Sequence, residues 1–227
     1  MRERGSLSSS RAFWISQSVG FCALIGLLLF GCAGRLDIAP FWEYLFVCSV
    51  GFIAAASILD PDLFQERVRP GGQPLKLRYY ALLLPLIAHW CIAGFDVGRF
   101  HWSDSIPLAL QLVALAIFAA ALALMIWAMR VNRFFSSIIR LQEDRGHHLV
   151  TDGPYGWVRH PGYTAGFVLC LTSGMALGSW VSVLVGLACM PLLLRRTLAE
   201  DSFLKSNLEG YSDYAGAVRY RLVPGIW

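Results

Sequence analysis

Seventeen consecutive residues, His147 to Tyr163, hold three His, one Arg, two Tyr, one Trp and two Pro. Imidazoles gain or lose protons near neutral pH. An arginine such as Arg159 can grip a carboxylate or phosphate through two parallel hydrogen bonds. Aromatic rings such as Tyr155 and Tyr163 offer flat faces and a polar tip. Taken singly, each group has a plainer use. His147 and His148 are adjacent, point apart on a helix and have no second ligand pair at zinc spacing, so no metal site is expected. Arg159 and His160 can snorkel to headgroups. Tyr155 and Trp157 can anchor an interface. Together they resist that reading, because Pro154 and Pro161, with Gly153, Gly156 and Gly162, impose an ordered non-helical path beside many donors.

The elements that must position this segment are membrane helices. Of the 227 residues, 56% are hydrophobic and only 15% are charged, against about 25% charged in soluble domains, and the mean hydropathy is +0.55. Runs free of Asp, Glu, Lys and Arg cover Ala12–Gly34, Tyr44–Leu59, Tyr79–Phe95, Ser105–Met129 and Pro161–Leu194. A spanning helix takes roughly 20 apolar residues. The last run has 34 residues and divides near Gly178-Ser179-Trp180, which makes six spans. With the N-terminus inside, 17 basic residues fall on the inner side and only Arg35 and Arg99 outside, so both termini are expected in the cytosol. The net charge of +4 then reflects topology and anionic lipid, not nucleic acid. The six cysteines sit in hydrophobic runs without a Cys-x-x-Cys pair and read as small apolar fillers.

Residues 1–11 read as a polar tail and Asp60-Pro61 as the end of span two. Arg69-Pro70-Gly71-Gly72 reads as a turn and Tyr79-Tyr80 as an interfacial anchor. Residues 1–129 form a four-span scaffold. Residues 130–227 are expected to hold any catalytic region: an interfacial helix over Arg130–Arg145 closed by Gly146, the polar segment, a two-span hairpin, and a C-terminal cytosolic helix over 197–220. Three polar stretches, 142–163, 195–201 and 211–224, flank the hairpin and are expected to meet at its base. Arg196 and Glu200 are four apart, the spacing of a surface ion pair. No Gly-x-Gly-x-x-Gly follows a strand and no Walker motif is present.

The pattern Leu149-Val150-Thr151-x-Gly153-Pro154-Tyr155, then Arg159-His160-Pro161-x-Tyr163, then Glu200-Asp201, resembles the isoprenylcysteine carboxyl methyltransferases. The related phospholipid N-methyltransferases look similar in the same region. Tyr211, Tyr214 and Pro224 match the tail, and the resemblance covers about residues 130–227. It implies S-adenosyl-L-methionine bound without a Rossmann sheet, surrounded by Gln142, His147, Leu149, Val150, Tyr155, His160, Pro161, Gly162 and Tyr163. His148 and Gly153 lie in the same stretch. Glu200 is the carboxylate that binds the cofactor, and Arg196 contacts the acceptor. Arg196, Arg159 and His160 are the candidates for the catalytic centre. The family usually shows Glu-Glu where this chain has Glu200-Asp201.

The reading is an all-α, six-span, non-Rossmann membrane methyltransferase. Its favoured acceptor is the carboxylate of an isoprenylcysteine-like lipophilic molecule reaching the site from the bilayer, with no metal and no nucleic acid involved. The runner-up is N-methylation of an amine lipid headgroup, which needs a base to remove a proton. A transporter would need ionisable groups in mid-span, where only His89 is clearly placed, with Glu43 and Asp96 near span ends. A sterol-type membrane reductase would bind a nicotinamide dinucleotide instead.

Overall fold

The computed structural model describes residues 10–73 and 83–227. These form helices and turns, with no strand among the described residues. Most of the expected N-terminal tail, and Tyr79-Tyr80, lie outside the described residues, and Arg11 already belongs to the first helix.

Each hydrophobic run is a helix with a chemical reason for its ends. Helix α1 (Arg11–Ala33) begins where Ser10 Oγ accepts the Phe13 amide at 3.2 Å, and it ends at Gly34, whose φ of +73° suits a residue without Cβ. Helix α2 (Ala39–Ile58) stops ahead of Asp60-Pro61. The Asp60 carboxylate then caps α3 (Pro61–Val68), an eight-residue helix with mixed charge. After the turn at Pro70–Gly72 come α4 (Leu83–Phe95) and a five-residue π-helical continuation to Phe100. Helices α5 (Leu108–Val131), α6 (Pro161–Ala176) and α7 (Trp180–Asn207) follow, and α8 (Tyr211–Ala217) closes the chain. Helices α1, α2, α5 and α7 are long and apolar enough to cross a membrane. Helices α4 and α6, of 13 and 16 described residues, complete the six hydrophobic segments. The protein is an integral membrane protein of all-helical fold.

Helices α1, α2, α4 and α5 enclose a core around Ile25, Leu29, Phe41 and Cys48. The α6–α7 hairpin turns at Gly178, with φ +79°, and Ser179 caps α7. Its helices touch backbone to backbone: a Cβ at Gly186 would lie 2.1 Å from the Cys170 carbonyl oxygen. Small residues at such crossings are a usual means of close packing between membrane helices. The ionisable groups inside the bundle bind helix to helix. His89 Nε2 bonds the Ser173 hydroxyl at 2.7 Å, and Nδ1 meets the Ser182 hydroxyl at 2.6 Å. Asp96 accepts from Ser103 and Ser179. Both are buried in protein, so they act as glue between spans rather than as stations of a transport path.

Two expected elements take another form. Arg130–Arg145 is not one interfacial helix: α5 ends at Val131, and a single 3₁₀ turn covers Glu143–Arg145. Asn132 stops the helix because its side-chain oxygen takes the Phe134 amide at 2.9 Å, a local bond that competes with helix continuation. The segment then finds its partners on α3. Glu66 accepts from Arg140 Nε and Nη2, both at 2.9 Å, and from the Ser136 hydroxyl at 3.1 Å. Residues 197–220 are likewise not a separate helix. Helix α7 runs unbroken through Arg195-Arg196 to Asn207, since arginine ends an apolar phase but favours helix. The break comes at Gly210, with φ +76°, before α8.

Candidate functional site

The three polar stretches meet at the base of the α6–α7 hairpin, and the residue that gathers them is Asp201. It is 2% exposed. Its Oδ1 accepts from Arg159 Nε at 2.8 Å, His160 Nε2 at 3.2 Å and the Tyr211 hydroxyl at 3.0 Å. Its Oδ2 accepts from Arg221 Nε at 3.0 Å. Arg159, 4% exposed, also donates from Nη1 to the carbonyls of Val218 and Arg219, both at 2.8 Å. The backbone joins in, because the amides of Arg159 and His160 donate to Tyr220 O and Arg221 O, each at 2.9 Å. One carboxylate on α7 thus locks the polar segment to the C-terminal tail.

Above this lock lies a cavity of about 470 Å³, within the range of small-molecule sites. It is lined by Gln142, His147, His148, Leu149, Val150, Tyr155, Arg159, His160, Gly162, Tyr163, Arg196 and Glu200. Gly153 and Pro161 do not line it. Gly153, with φ +58°, brings the chain against Trp127 and Val131, and Pro161 sits at the first turn of α6. The sequence reading did not single out Arg67, Asn132, Phe134, Phe135 or Leu204, which also line it. The helical spacing of Phe134 and Phe135 suggested a lipid face, and nothing local ties Arg67 to a site built mainly from residues far along the chain, from Asn132 onward.

Each group has a defined posture. Gln142 is buried, gives Nε2 to Phe134 O at 2.6 Å and receives Arg145 on its Oε1. Tyr155 is buried, and its hydroxyl accepts from Asn132 Nδ2 at 3.2 Å. Its carbonyl accepts the Tyr214 hydroxyl at 2.7 Å. The His147 ring packs on Phe134 with centroids 4.4 Å apart. Arg196 and Glu200 form no ion pair. The Tyr163 hydroxyl stands between them, accepting from Arg196 Nε at 2.7 Å and donating to Glu200 Oε2 at 2.7 Å. Arg196 Nη2 also donates to Ser137 O. Among the described residues nothing bonds Glu200 Oε1, and the amides of His148, Leu149 and Val150 have no protein acceptor. The cavity therefore presents one open carboxylate oxygen, a run of free backbone donors, aromatic faces and a guanidinium. Arg159 and His160, expected at the catalytic centre, reach the lining, and their side chains bond Asp201 and, for Arg159, the tail carbonyls.

His147 carries a pH signature. Burial first, and then the nearby His148, Arg140 and Arg145, push its pKa below the ordinary histidine value. The neutral ring accepts the Gln142 amide on Nδ1 at 3.2 Å. The folded protein therefore binds fewer protons than the unfolded chain just below about pH 6.5, and stability falls as pH drops through that window. Melting curves between about pH 5.5 and 7.5 should show this fall. His147→Asn, whose side-chain oxygen can accept the same amide without titrating, should flatten it. An identical slope in the variant would assign the effect to another group.

Three comparisons bear on what this site is. The model of the isoprenylcysteine carboxyl methyltransferase family matches residues 112–206. A protein-S-isoprenylcysteine O-methyltransferase of Schizosaccharomyces pombe is 34% identical over 87 residues, which are 37% of this chain and 37% of the relative. The chain therefore matches little more than a third of that relative's length. A solved structure of a eukaryotic intramembrane Ras methyltransferase, an isoprenylcysteine carboxyl methyltransferase, superposes with a TM-score of 0.63 at 21% identity. That match covers 95% of this chain and 76% of the solved one, and shows the fold. Residues 112–206, the stretch that the family's model matches, contain the polar segment, the hairpin, Arg196, Glu200 and Asp201.

Proposed function

We propose that this protein transfers a methyl group from S-adenosyl-L-methionine to the carboxylate of an isoprenylcysteine-like, lipophilic acceptor at the cytosolic face of a membrane. The observation that carries the reading is the Arg196–Tyr163–Glu200 chain on the cavity wall. It sets a guanidinium for an acceptor carboxylate and a carboxylate for a cationic donor at two ends of one hydroxyl. Both termini lie in the cytosol in this reading, following the 17-to-2 distribution of basic residues.

The residues fit the cofactor's chemistry. Glu200 Oε1 is open for its ammonium, the amides of His148 to Val150 for its carboxylate, and the faces of Phe134, His147 and Tyr155 for its purine. When bound, the cofactor supplies a methyl group made electrophilic by a sulfonium. A carboxylate acceptor, with a reference pKa near 4, arrives ionised, so no side chain has to remove a proton. Arg196 holds that carboxylate by charge-assisted hydrogen bonds. Tyr163 fixes the direction of Arg196 relative to Glu200, so the two reactants are aligned before reaction. Phe135, Met125 and Leu193 wall the acceptor side and exclude water from the reacting oxygen.

Arg196→Lys tests the reading. The lysine keeps the charge but loses the planar fork. Affinity for S-adenosylhomocysteine, measured by calorimetry on detergent-purified protein, should barely change. Turnover on an isoprenylcysteine acid should fall at least about tenfold, or about 1.4 kcal/mol of transition-state stabilisation. Undiminished turnover would remove Arg196 from the acceptor site.

A further inference from the structure

Helix α3 carries two neighbouring charged residues with opposite employment. Glu66 is 5% exposed, and its carboxylate is fully occupied by Arg140, Ser136 and the Gly71 amide. Arg67 lines the cavity instead. Its guanidinium lies over the Phe135 ring at 5.1 Å. That ring is seated against Gly162, where a Cβ would come within 2.3 Å of it. Among the described residues Arg67 has no hydrogen bond and no ion pair. The other arginines of the lining are all engaged: Arg140 with Glu66 and Asp144, Arg159 with Asp201, and Arg196 with Tyr163 and Ser137.

A guanidinium offers five donors, and leaving them unmet inside a partly buried cavity is costly. Arg67 also faces a like charge. Burial, and then the charge of Arg196, push its pKa down to about 10. Two cations near each other in a walled space favour an anion between them and disfavour an ammonium. Neighbouring faces are occupied by Met125, Phe135 and Leu193, so the anion should carry an apolar body.

We infer that Arg67 and Arg196 together seat the acceptor's carboxylate, with Arg67 as the residue that selects an acid over its uncharged or amine counterpart. Arg67 belongs to the N-terminal part of the chain, outside the matched residues 112–206. The inference rests on the carboxyl-transfer reading for the identity of the anion, but its test does not depend on turnover.

The experiment is equilibrium binding of N-acetyl-S-farnesylcysteine, whose amine is blocked, and of its uncharged carboxamide to the full-length protein in neutral-lipid nanodiscs, with S-adenosylhomocysteine present. The wild type should prefer the acid by at least about tenfold, the size of one charge-assisted hydrogen bond. Arg67→Gln should abolish most of that preference while leaving affinity for S-adenosylhomocysteine unchanged. Arg67→Lys should restore part of it. Acid preference retained in Arg67→Gln overturns the inference, as does a wild type that binds acid and carboxamide equally. Absent turnover in a wild type that still prefers the acid would sink the proposed reaction while leaving the carboxylate seat intact.

Discussion

Asp201→Ala is expected to lower the unfolding free energy by about 3–5 kcal/mol, the usual cost of removing one partner from a buried ion pair. The deleted carboxylate is 2% exposed and meets Arg159, His160, Tyr211 and Arg221. Arg159, 4% exposed, would keep its charge with only main-chain carbonyls to face. Asp201→Asn should fall between, because it keeps the volume and an acceptor but supplies no counter-charge. Thermal unfolding of the detergent-solubilised variants checks this. A loss of less than about 1 kcal/mol, the level of an ordinary substitution, would show that the tail is held by other means. The effect should be indirect on ligands, through a loosened polar segment.

Glu200→Ala, one residue earlier, is expected to do the reverse. Its carboxylate is only partly buried, and among the described residues one of its oxygens has no partner. The variant should fold and melt close to wild type, yet lose a charge-assisted contact worth roughly 1.5–3 kcal/mol to the cofactor. That corresponds to about 10- to 150-fold weaker binding of S-adenosylhomocysteine. Part of any loss could come through Tyr163, whose hydroxyl donates to Glu200. Tyr163→Phe separates the two, since it removes the bridge and keeps the carboxylate. Unchanged affinity in Glu200→Ala would move the cofactor's ammonium elsewhere.

These opposite expectations show where sequence and structure divide the work. Hydropathy determined the class and the helices, because a bilayer leaves an apolar run few options other than a hydrogen-bonded helix. The spacing of prolines and glycines around Tyr155 and His160 marked the polar segment as built backbone. The family resemblance brought Gln142, His147, Tyr163, Arg196 and Glu200 forward, and the structure places all five on one cavity. What the sequence could not show was the employment of each charge. Arg159 and Arg196 look alike in the chain, and so do Glu200 and Asp201. Only packing decided that Arg159 and Asp201 are locked together while Arg196 and Glu200 remain at the cavity. The same holds for α3. Periodicity in Arg130–Arg145 suggested a helix on the lipid face, but Asn132 ends α5 and Glu66 draws the segment inward. That long-range bond puts Arg67 into the cavity wall. Periodicity reports which side of a helix is apolar. It carries no information on which distant carboxylate will neutralise a given arginine, because that depends on distances set only when the helices pack.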